Sequence, residues 1–292
     1  MSGPRPLADT GAAVDLKAEM LAAAEALAGG PASGGGAARR GAAMTSDLSI
    51  DEEFALHSVG WEPVELVCGI SLVSVPPGVW TWGQGEIVQA SDAHARAFAG
   101  AGQRIHRECA KAGGHGVVGV HVEAVVQRNH VDVTLLGTAV RPVGAKKTAA
   151  DAVFVSDLSG RDFSLLMASG WAPLGLAVGA SFVYAPRRSA GTALKQSSQN
   201  IELTNFTEAM YAARESAMER MQEQAIALRG TGVVEVKVAE GPMTFAHHAV
   251  GFTAYGTVVR LSADAHRRLD PMVIVPLDDS TVAFDATSLR GE

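Results

Sequence analysis

Hydrophobic and polar positions follow the same order twice along this chain. Residues 113–140 contain a glycine break, an apolar run, a polar turn and a second run that closes on Gly137-Thr138. The order returns in residues 230–259 and closes on Gly256-Thr257. Apolar runs of this length around a polar turn predict two strands joined as a hairpin. Each copy therefore predicts one β-hairpin.

The duplication extends upstream of both hairpins. Ser46-Asp47-Leu48-Ser49 is matched by Ser156-Asp157-Leu158-Ser159, and an offset of 110 residues then holds without gaps through Gly-Trp-x-Pro to Pro76 and Pro186. Agreement over such a length indicates an internal repeat. The Ser-Asp start predicts the cap of a short helix, and the Gly-Trp turn leads into a strand over 64–75 or 174–184. We predict a first repeat over 46–145 and a second over 156–262.

A long helix precedes each hairpin. Beyond a divergent loop the copies align again at an offset of 116 residues, where Glu86-Ile87 matches Glu202-Leu203. Ser91 and Thr207 are the predicted N-caps, and glycines follow the predicted helix ends. Each repeat is thus an α+β unit. Its motif residues are Gly60, Trp61, Gly116 and Gly137 in the first copy and Gly170, Trp171, Gly232 and Gly256 in the second.

Both ends of the chain lie outside the repeats. Residues 1–45 are rich in Ala, Gly, Pro and Ser, and residues 12–28 have the periodicity of an amphipathic helix. This helix either packs on the repeats or docks into a protein partner from a flexible tether. Residues 263–292 form a C-terminal extension with a strand-like run at 272–277.

Composition limits the classes of partner. The net charge of −7 and the lack of a basic stripe argue against nucleic acid. No apolar run approaches the roughly 18 residues of a membrane-spanning helix, so no membrane association is expected. The two cysteines, Cys68 and Cys109, do not form a CxxC pair, which favours a reducing cytoplasm.

Histidine and cysteine are the candidate metal ligands, although none of their spacings is a recognised zinc motif. The adjacent pair His247-His248 would point to opposite faces of a strand. The competing interpretation is that these are surface or hydrogen-bonded core histidines. The candidates are His106, Cys109, His115, His121, His130, His247 and His248.

Tryptophans provide a second set of candidate contacts. Trp80 and Trp82 share one loop, where burial in an interface is expected because exposed indole rings are costly. Trp61 and Trp171 are expected to anchor the core rather than to stack on a ligand. No P-loop, nucleophile elbow or dinucleotide fingerprint is present, so we expect no enzymatic activity.

The combined motifs resemble those of the YbjQ-like proteins, often labelled heavy-metal-binding domains. The resemblance rests on the long helix followed by Gly-x-Gly-Val-Val-Gly, the hairpin and the closing Gly-Thr, and the tandem layout is similar to an actinobacterial double-domain type. It implies a dodecin-like unit, with a three-stranded antiparallel sheet packed on one long helix. It also implies homo-oligomers whose sheets close into a barrel, since single-unit members are thought to form pentameric rings.

Two substitutions depart from that family. The acid common at the helix-to-strand turn is replaced by His115 and Thr231, and Gly119 is replaced by Glu235 in the second copy. Any site that uses that acid is therefore in doubt. We expect a cytoplasmic, self-assembling scaffold without a cofactor, for which five chains in two stacked rings are favoured. The alternative is a protein that binds a divalent or soft metal ion, or a small ligand, through sites formed in the oligomer.

Overall fold

The computed structural model of the protein describes residues 44–81, 83–146, 148–186 and 202–262, together with His266. The predicted helix over 12–28, the strand-like run over 272–277 and Trp82 lie outside these ranges. Both repeats belong to one unit of structure that begins at Met44.

The first repeat contains two helices and four strands. They follow in the order α1 (Ile50–Ser58), β1 (Trp61–Ser74), β2 (Gly85–Glu86), α2 (Val88–Ala112), β3 (Gly116–Val126) and β4 (His130–Pro142). In the second repeat the helices and long strands follow in the same order, after the short strand β5: β5 (Phe154–Val155), α3 (Gly160–Ala168), β6 (Trp171–Tyr184), α4 (Thr204–Ala227), β7 (Gly232–Met243) and β8 (Ala246–Leu261). The predicted α+β unit with a hairpin after the long helix is present in both copies.

Each repeat forms a three-stranded antiparallel sheet, and each sheet gains a short fourth strand from the other repeat. The strand orders are β1-β4-β3-β5 and β2-β6-β8-β7. Strand β5, which leads into the second repeat, runs parallel to β3 of the first. Strand β2, from the first repeat, pairs antiparallel with β6 of the second. The two sheets of one chain are therefore joined side by side.

The Ser-Asp-Leu-Ser motif binds the closing Gly-Thr motif within its own repeat. In the second repeat the Thr257 hydroxyl lies 2.9 Å from Ser156 Oγ and donates to Asp157 Oδ1 at 2.6 Å. The backbone N–H of Asp157 donates back to Thr257 Oγ1 at 3.1 Å. Ser46, Asp47 and Thr138 form the same set of contacts in the first repeat. The motif thus ties the start of each repeat to its last strand.

All four predicted helix starts are wrong in detail. The last serine of each motif, Ser49 or Ser159, is the N-cap, because the first serine is engaged with threonine. The long helices begin three residues before the predicted caps Ser91 and Thr207, at Val88 and Thr204. The Ser91 hydroxyl donates to the Glu86 side chain instead of capping its own helix.

Each long helix packs against a glycine in the first long strand of its repeat. A Cβ on Gly179 would collide with the backbone carbonyl of Ala217 in α4, and Gly69 meets Ala101 of α2 in the same way. The helix faces are lined by alanine, which permits this close approach. At the turn before each of these strands, Gly60 and Gly170 adopt φ values of +78° and +86°, which explains the glycine of the Gly-Trp motif.

Among the helices of the described ranges, none is both long and apolar enough to cross a bilayer.

Candidate functional site: the joint between the repeats

The contact surface between the two repeats, called here the joint, is organised around Glu86. The Oε1 atom of Glu86 accepts hydrogen bonds from Ser91 Oγ at 2.7 Å and Ser181 Oγ at 3.0 Å. The guanidinium of Arg220, on α4, grips both oxygens, with Nη1 2.5 Å from Oε1 and Nη2 2.9 Å from Oε2. A carboxylate from the first repeat is thus held by a hydroxyl and a guanidinium of the second.

The surroundings of Glu86 favour its charged form. Burial alone would raise the pKa of this carboxyl, but hydrogen bonds from Arg220, Ser91 and Ser181 outweigh burial and lower the pKa below its usual value of 4.5. Arg220 also donates to the backbone carbonyl of Ala180 at 2.7 Å. Two-point binding of a carboxylate by arginine fixes direction as well as distance, so the pair sets the register of β2 on β6.

Aromatic side chains form the apolar half of the joint. The Trp80 ring is buried edge-on against two rings of the second repeat, Phe182 at 6.1 Å and Phe245 at 4.9 Å between centroids. Its indole N–H donates to the carbonyl of Arg128 at 2.9 Å. Trp80, a predicted interface residue, therefore lies in an interface within the chain.

His94 is buried in the same aromatic cluster. Its ring lies 4.8 Å from Phe98 and 5.8 Å from Phe182, between centroids. Its Nε2 atom is buried without a hydrogen-bond partner among the described residues. Burial lowers the pKa of His94 from 6.5 to about 4, so the imidazole is neutral at physiological pH.

The lead-in to the second repeat forms the other side of the joint. The backbone N–H of Phe154 donates to His115 O, and that of Ser156 donates to Val117 O at 2.9 Å. The Phe154 ring stands where a Cβ on Gly116 would lie, which explains that glycine. Trp61 packs edge-on against Phe154 and Phe163, so this tryptophan is a core anchor that also spans the two repeats.

A polar cleft lies beside this lead-in. Lys237 Nζ in the cleft is 3.2 Å from the buried Asp157 carboxylate and 3.1 Å from Glu235. Burial alone would lower the pKa of Lys237, but these two carboxylates raise it. Glu235 adopts φ of +53° and its counterpart Gly119 +64°, at matching β-bulges. The cleft is lined by Asp47, Leu48, Glu52, Gly119, Val120, His121, Asp157, Ser159, Glu235 and Lys237.

The candidate metal ligands do not gather in one place. Cys109 is fully buried, its thiol donates to Gly116 O at 3.3 Å, and burial raises its pKa to about 12. A thiol with that pKa is protonated at neutral pH and is a poor ligand. His106 lies one turn away on α2, where burial lowers its pKa.

The remaining histidines are scattered over the repeats. His121 lines the cleft, His130 Nδ1 lies 2.9 Å from Asn129 Oδ1, and the His248 ring stacks on Tyr184 at 5.3 Å. His115 has a buried Nδ1 atom without a partner among the described residues. For His247 the described part is the backbone alone. Across the described ranges, no group of three or more His, Cys, Asp and Glu side chains could hold a metal ion.

Comparison with known proteins shows to which family the chain belongs. A protein of Mycobacterium tuberculosis, described as an encapsulin nanocompartment protein, is 34% identical over 248 residues, which are 81% of this chain and 92% of that protein. A UPF0145 protein of Halorubrum lacusprofundi is 38% identical over 77 residues, 25% of this chain and 72% of that protein. The YbjQ family, described as "Putative heavy-metal-binding", matches residues 188–262. The chain belongs to the YbjQ-like family. No solved structure matches it.

In this YbjQ-like chain the residues that join the repeats were only partly visible in the sequence. Trp61, Trp80 and Gly116 were singled out, whereas His94 and Arg220 were not. His94 has no histidine counterpart, because Met210 stands at the matching position. Arg220 has an arginine counterpart, Arg104, in the first repeat. That agreement between the copies was the signal in the sequence that could have singled out Arg220.

Proposed function

We propose that the protein is a self-assembling scaffold whose chains join through copies of the joint. The observation that carries this proposal is that the joint is heterologous: it brings together two different faces of the repeat. The β2, α2 and β3 face of the first repeat meets a different face of the second, formed by β5 and β6. Because the repeats are copies, the second repeat carries a further face of the first kind, beside β7. The first repeat carries a further face of the second kind, beside β1. Contacts of this head-to-tail type build rings when the rotation closes and filaments when it does not.

The relative from Mycobacterium tuberculosis supports this proposal, because its name describes a protein of a nanocompartment. Such a structure is built by assembly of many chains. For the present chain we propose likewise that its activity is assembly rather than catalysis. A cytoplasmic location fits the same proposal.

The pairing of the two repeats bears on the form of the assembly. Five chains in two stacked rings, the arrangement expected from the sequence, would place the repeats of a chain in different rings. The side-by-side strand pairing of the two repeats supports a different arrangement, in which first and second repeats alternate around one ring. Such a ring contains an even number of repeats and leaves no free sheet edge.

Native mass spectrometry of the purified protein tests the scaffold proposal. A single multimer mass is expected for a ring, and a ladder of masses for an open filament. Light scattering over a range of protein concentrations gives an independent measure of size. A monomer at every concentration would overturn the proposal.

Metal or small-ligand binding is the second candidate function, and it rests on the family description and on the cleft beside His121. A site formed between chains would bring together histidines that lie apart in one chain. Elemental analysis of the purified protein tests it, with His121→Ala as the variant and the exposed His57→Ala as the control. Stoichiometric metal that the first substitution removes and the second retains would support binding.

A further inference from the structure

Ser181 and Arg220, which bind Glu86 and are called here its receptor, have counterparts in the first repeat that bind no carboxylate within the described ranges. At the offset of 110, Ser181 corresponds to Ser71, and at the offset of 116, Arg220 corresponds to Arg104. We infer that Ser71 and Arg104 of one chain receive Glu202 from a second copy of the chain. This inference rests on the scaffold proposal and names the contact that joins the chains.

The empty receptor is already assembled. Ser71 Oγ and Arg104 Nη1 flank Gly100, within 2.5 Å and 3.2 Å of the point where a Cβ on that residue would lie. Arg104 is exposed and forms no ion pair or hydrogen bond within the described ranges, whereas Arg220 is paired. A positive charge and a hydroxyl thus converge on one place, where the Arg104 side chain has no ion pair within the described ranges.

The incoming acid is prepared in the same way as Glu86. Thr207 Oγ1 donates to Glu202 Oε1 at 2.9 Å, as Ser91 donates to Glu86 at 2.7 Å. Glu202 is exposed and has no arginine partner among the described residues. Glu86, Ser91, Ser181 and Arg220 therefore each have a counterpart of the same chemistry, and within one chain the counterparts of Glu86 and Arg220 are not paired.

Exposed apolar residues flank Ser71 on the same strand, with their side chains on the opposite face of the sheet. On β1, Ile70 is 50% and Leu72 62% exposed, whereas their counterparts on β6, Ala180 and Phe182, are 6% and 1% exposed. Beside Glu202, Leu203 is 43% exposed, against 2% for its counterpart Ile87. A free β-strand that presents two large aliphatic side chains is costly in water, and a second copy that supplies Glu202 and Leu203 covers it.

The opposite side of the predicted contact is also unfilled. Phe154 covers Gly116 within the chain, and the counterparts Met44 and Gly232 are both exposed. On the neighbouring bulge, Val236 is likewise uncovered: it is 40% exposed, whereas its counterpart Val120 is 3% exposed. Gly232 and Val236 thus lie on one face, along β7, and both lack the cover that their counterparts have in the first repeat. The lead-in and β1 of another chain would supply that cover. This continuity decides in favour of a second copy over an unrelated partner.

Charge reversal tests the contact. In the full chain, Arg104→Glu and Glu202→Arg should each lower the multimer fraction at least tenfold in native mass spectrometry. The double variant, which restores the pair with reversed charge, should recover most of the assembly. Circular dichroism and urea unfolding check that each variant folds. Both single variants assembling like the wild type would overturn the contact while leaving the scaffold proposal intact; a monomeric wild type would overturn both.

Disulfide trapping gives a second test with a built-in control. Glu86 and Val183 are paired on neighbouring strands, so their counterparts Glu202 and Val73 should be neighbours between chains. In a Cys68→Ser background, Glu202→Cys with Val73→Cys should give covalent multimers on denaturing gels without reductant. The matched control, Glu86→Cys with Val183→Cys, should oxidise within a chain and keep the monomer mass. The first variant lacks the Glu202 carboxylate, so native mass spectrometry checks that it still assembles. Absence of covalent multimers from the assembled variant, with an oxidised control, would overturn the predicted register.

Discussion

Glu86 and Arg220 are 134 positions apart in the chain and meet through both carboxylate oxygens and two guanidinium nitrogens. Glu86 lies on the short strand β2 of the first repeat and Arg220 on α4 of the second, so the pair adds a charged, directional contact to the backbone hydrogen bonds between the repeats. It is also partly shielded from water, with 24% of the Glu86 side chain and 37% of the Arg220 side chain exposed. The stability of the joint should therefore depend on both partners.

Arg220→Ala should lower the free energy of unfolding by about 1–3 kcal/mol, because it leaves the half-buried Glu86 carboxylate without its charged donor. The estimate is at the low end if water enters the space left by the guanidinium. Urea unfolding of a sample diluted to the monomer measures it. The matched control is Arg104→Ala, whose side chain lacks a partner within the described chain and should change monomer stability by less than about 0.5 kcal/mol. Equal losses from the two variants would contradict this assignment.

His94 should make the protein less stable as the pH falls from 6.5 towards 4. Its pKa is lowered to about 4 in the folded protein, so the unfolded chain binds more protons in this window and the free energy of unfolding falls with pH. The full loss is about 3 kcal/mol at the lower end. Urea unfolding at a series of pH values gives the slope, and His94→Phe should remove it.

The Glu86 carboxyl acts in a separate window. Its pKa is lowered below 4.5, so the stability that it contributes is present above that pH and is lost as the pH falls below it. A pH dependence of His94→Phe that equals that of the wild type between 6.5 and 4.5 would show that His94 is not the titrating group.

Gly179→Ala should destabilise the second repeat by about 1–3 kcal/mol, because the added methyl group collides with the Ala217 carbonyl and pushes α4 off the sheet. The control is Gly102→Ala on α2, where the new methyl group meets nothing within 4 Å. That substitution should raise stability by up to about 1 kcal/mol through helix propensity. Thermal unfolding measures both, and a loss from Gly102→Ala as large as that from Gly179→Ala would show that the close helix approach is not the cause.

Mixing the two charge-reversed chains should report whether the assembly contains an even or odd number of chains. Arg104→Glu and Glu202→Arg chains fit one another but not themselves, so they must alternate. A closed ring of the mixture is therefore expected when the chain number is even, and an open or incomplete assembly when it is odd. Native mass spectrometry of the mixture, beside the wild type, separates the two cases. Closed rings from either variant alone would contradict the predicted pairing.

The sequence predicted the parts of the fold that depend on local pattern. The hairpins, the long helices and the glycine turns at Gly60 and Gly170 follow from turn chemistry and from the repeated motifs. Helix starts were predicted less well, because the hydroxyls of Ser91 and Ser46 bind the side chains of Glu86 and Thr138 instead of capping the nearest helix. A serine before a helix looks the same in either role.

The joint was largely beyond sequence reasoning. Glu86 and Arg220 lie in different repeats, and no local pattern indicates which acid meets which arginine. The Arg104 and Arg220 match was present in the alignment of the copies, but it falls on a helix face that is polar in both. The exposure of Leu72 against the burial of Phe182 became visible when the two copies could be compared in space.

The strands β2 and β5 that join the repeats also bear on how assembly depends on protein concentration. A joint between two repeats of one chain forms at a fixed effective concentration, whatever the dilution. A joint between chains must compete with the entropy of free diffusion. In an alternating ring, duplication of the repeat therefore makes every second joint insensitive to dilution, so fewer encounters are needed to close the ring. Separation of the repeats at the 143–153 linker should return all joints to the same concentration dependence.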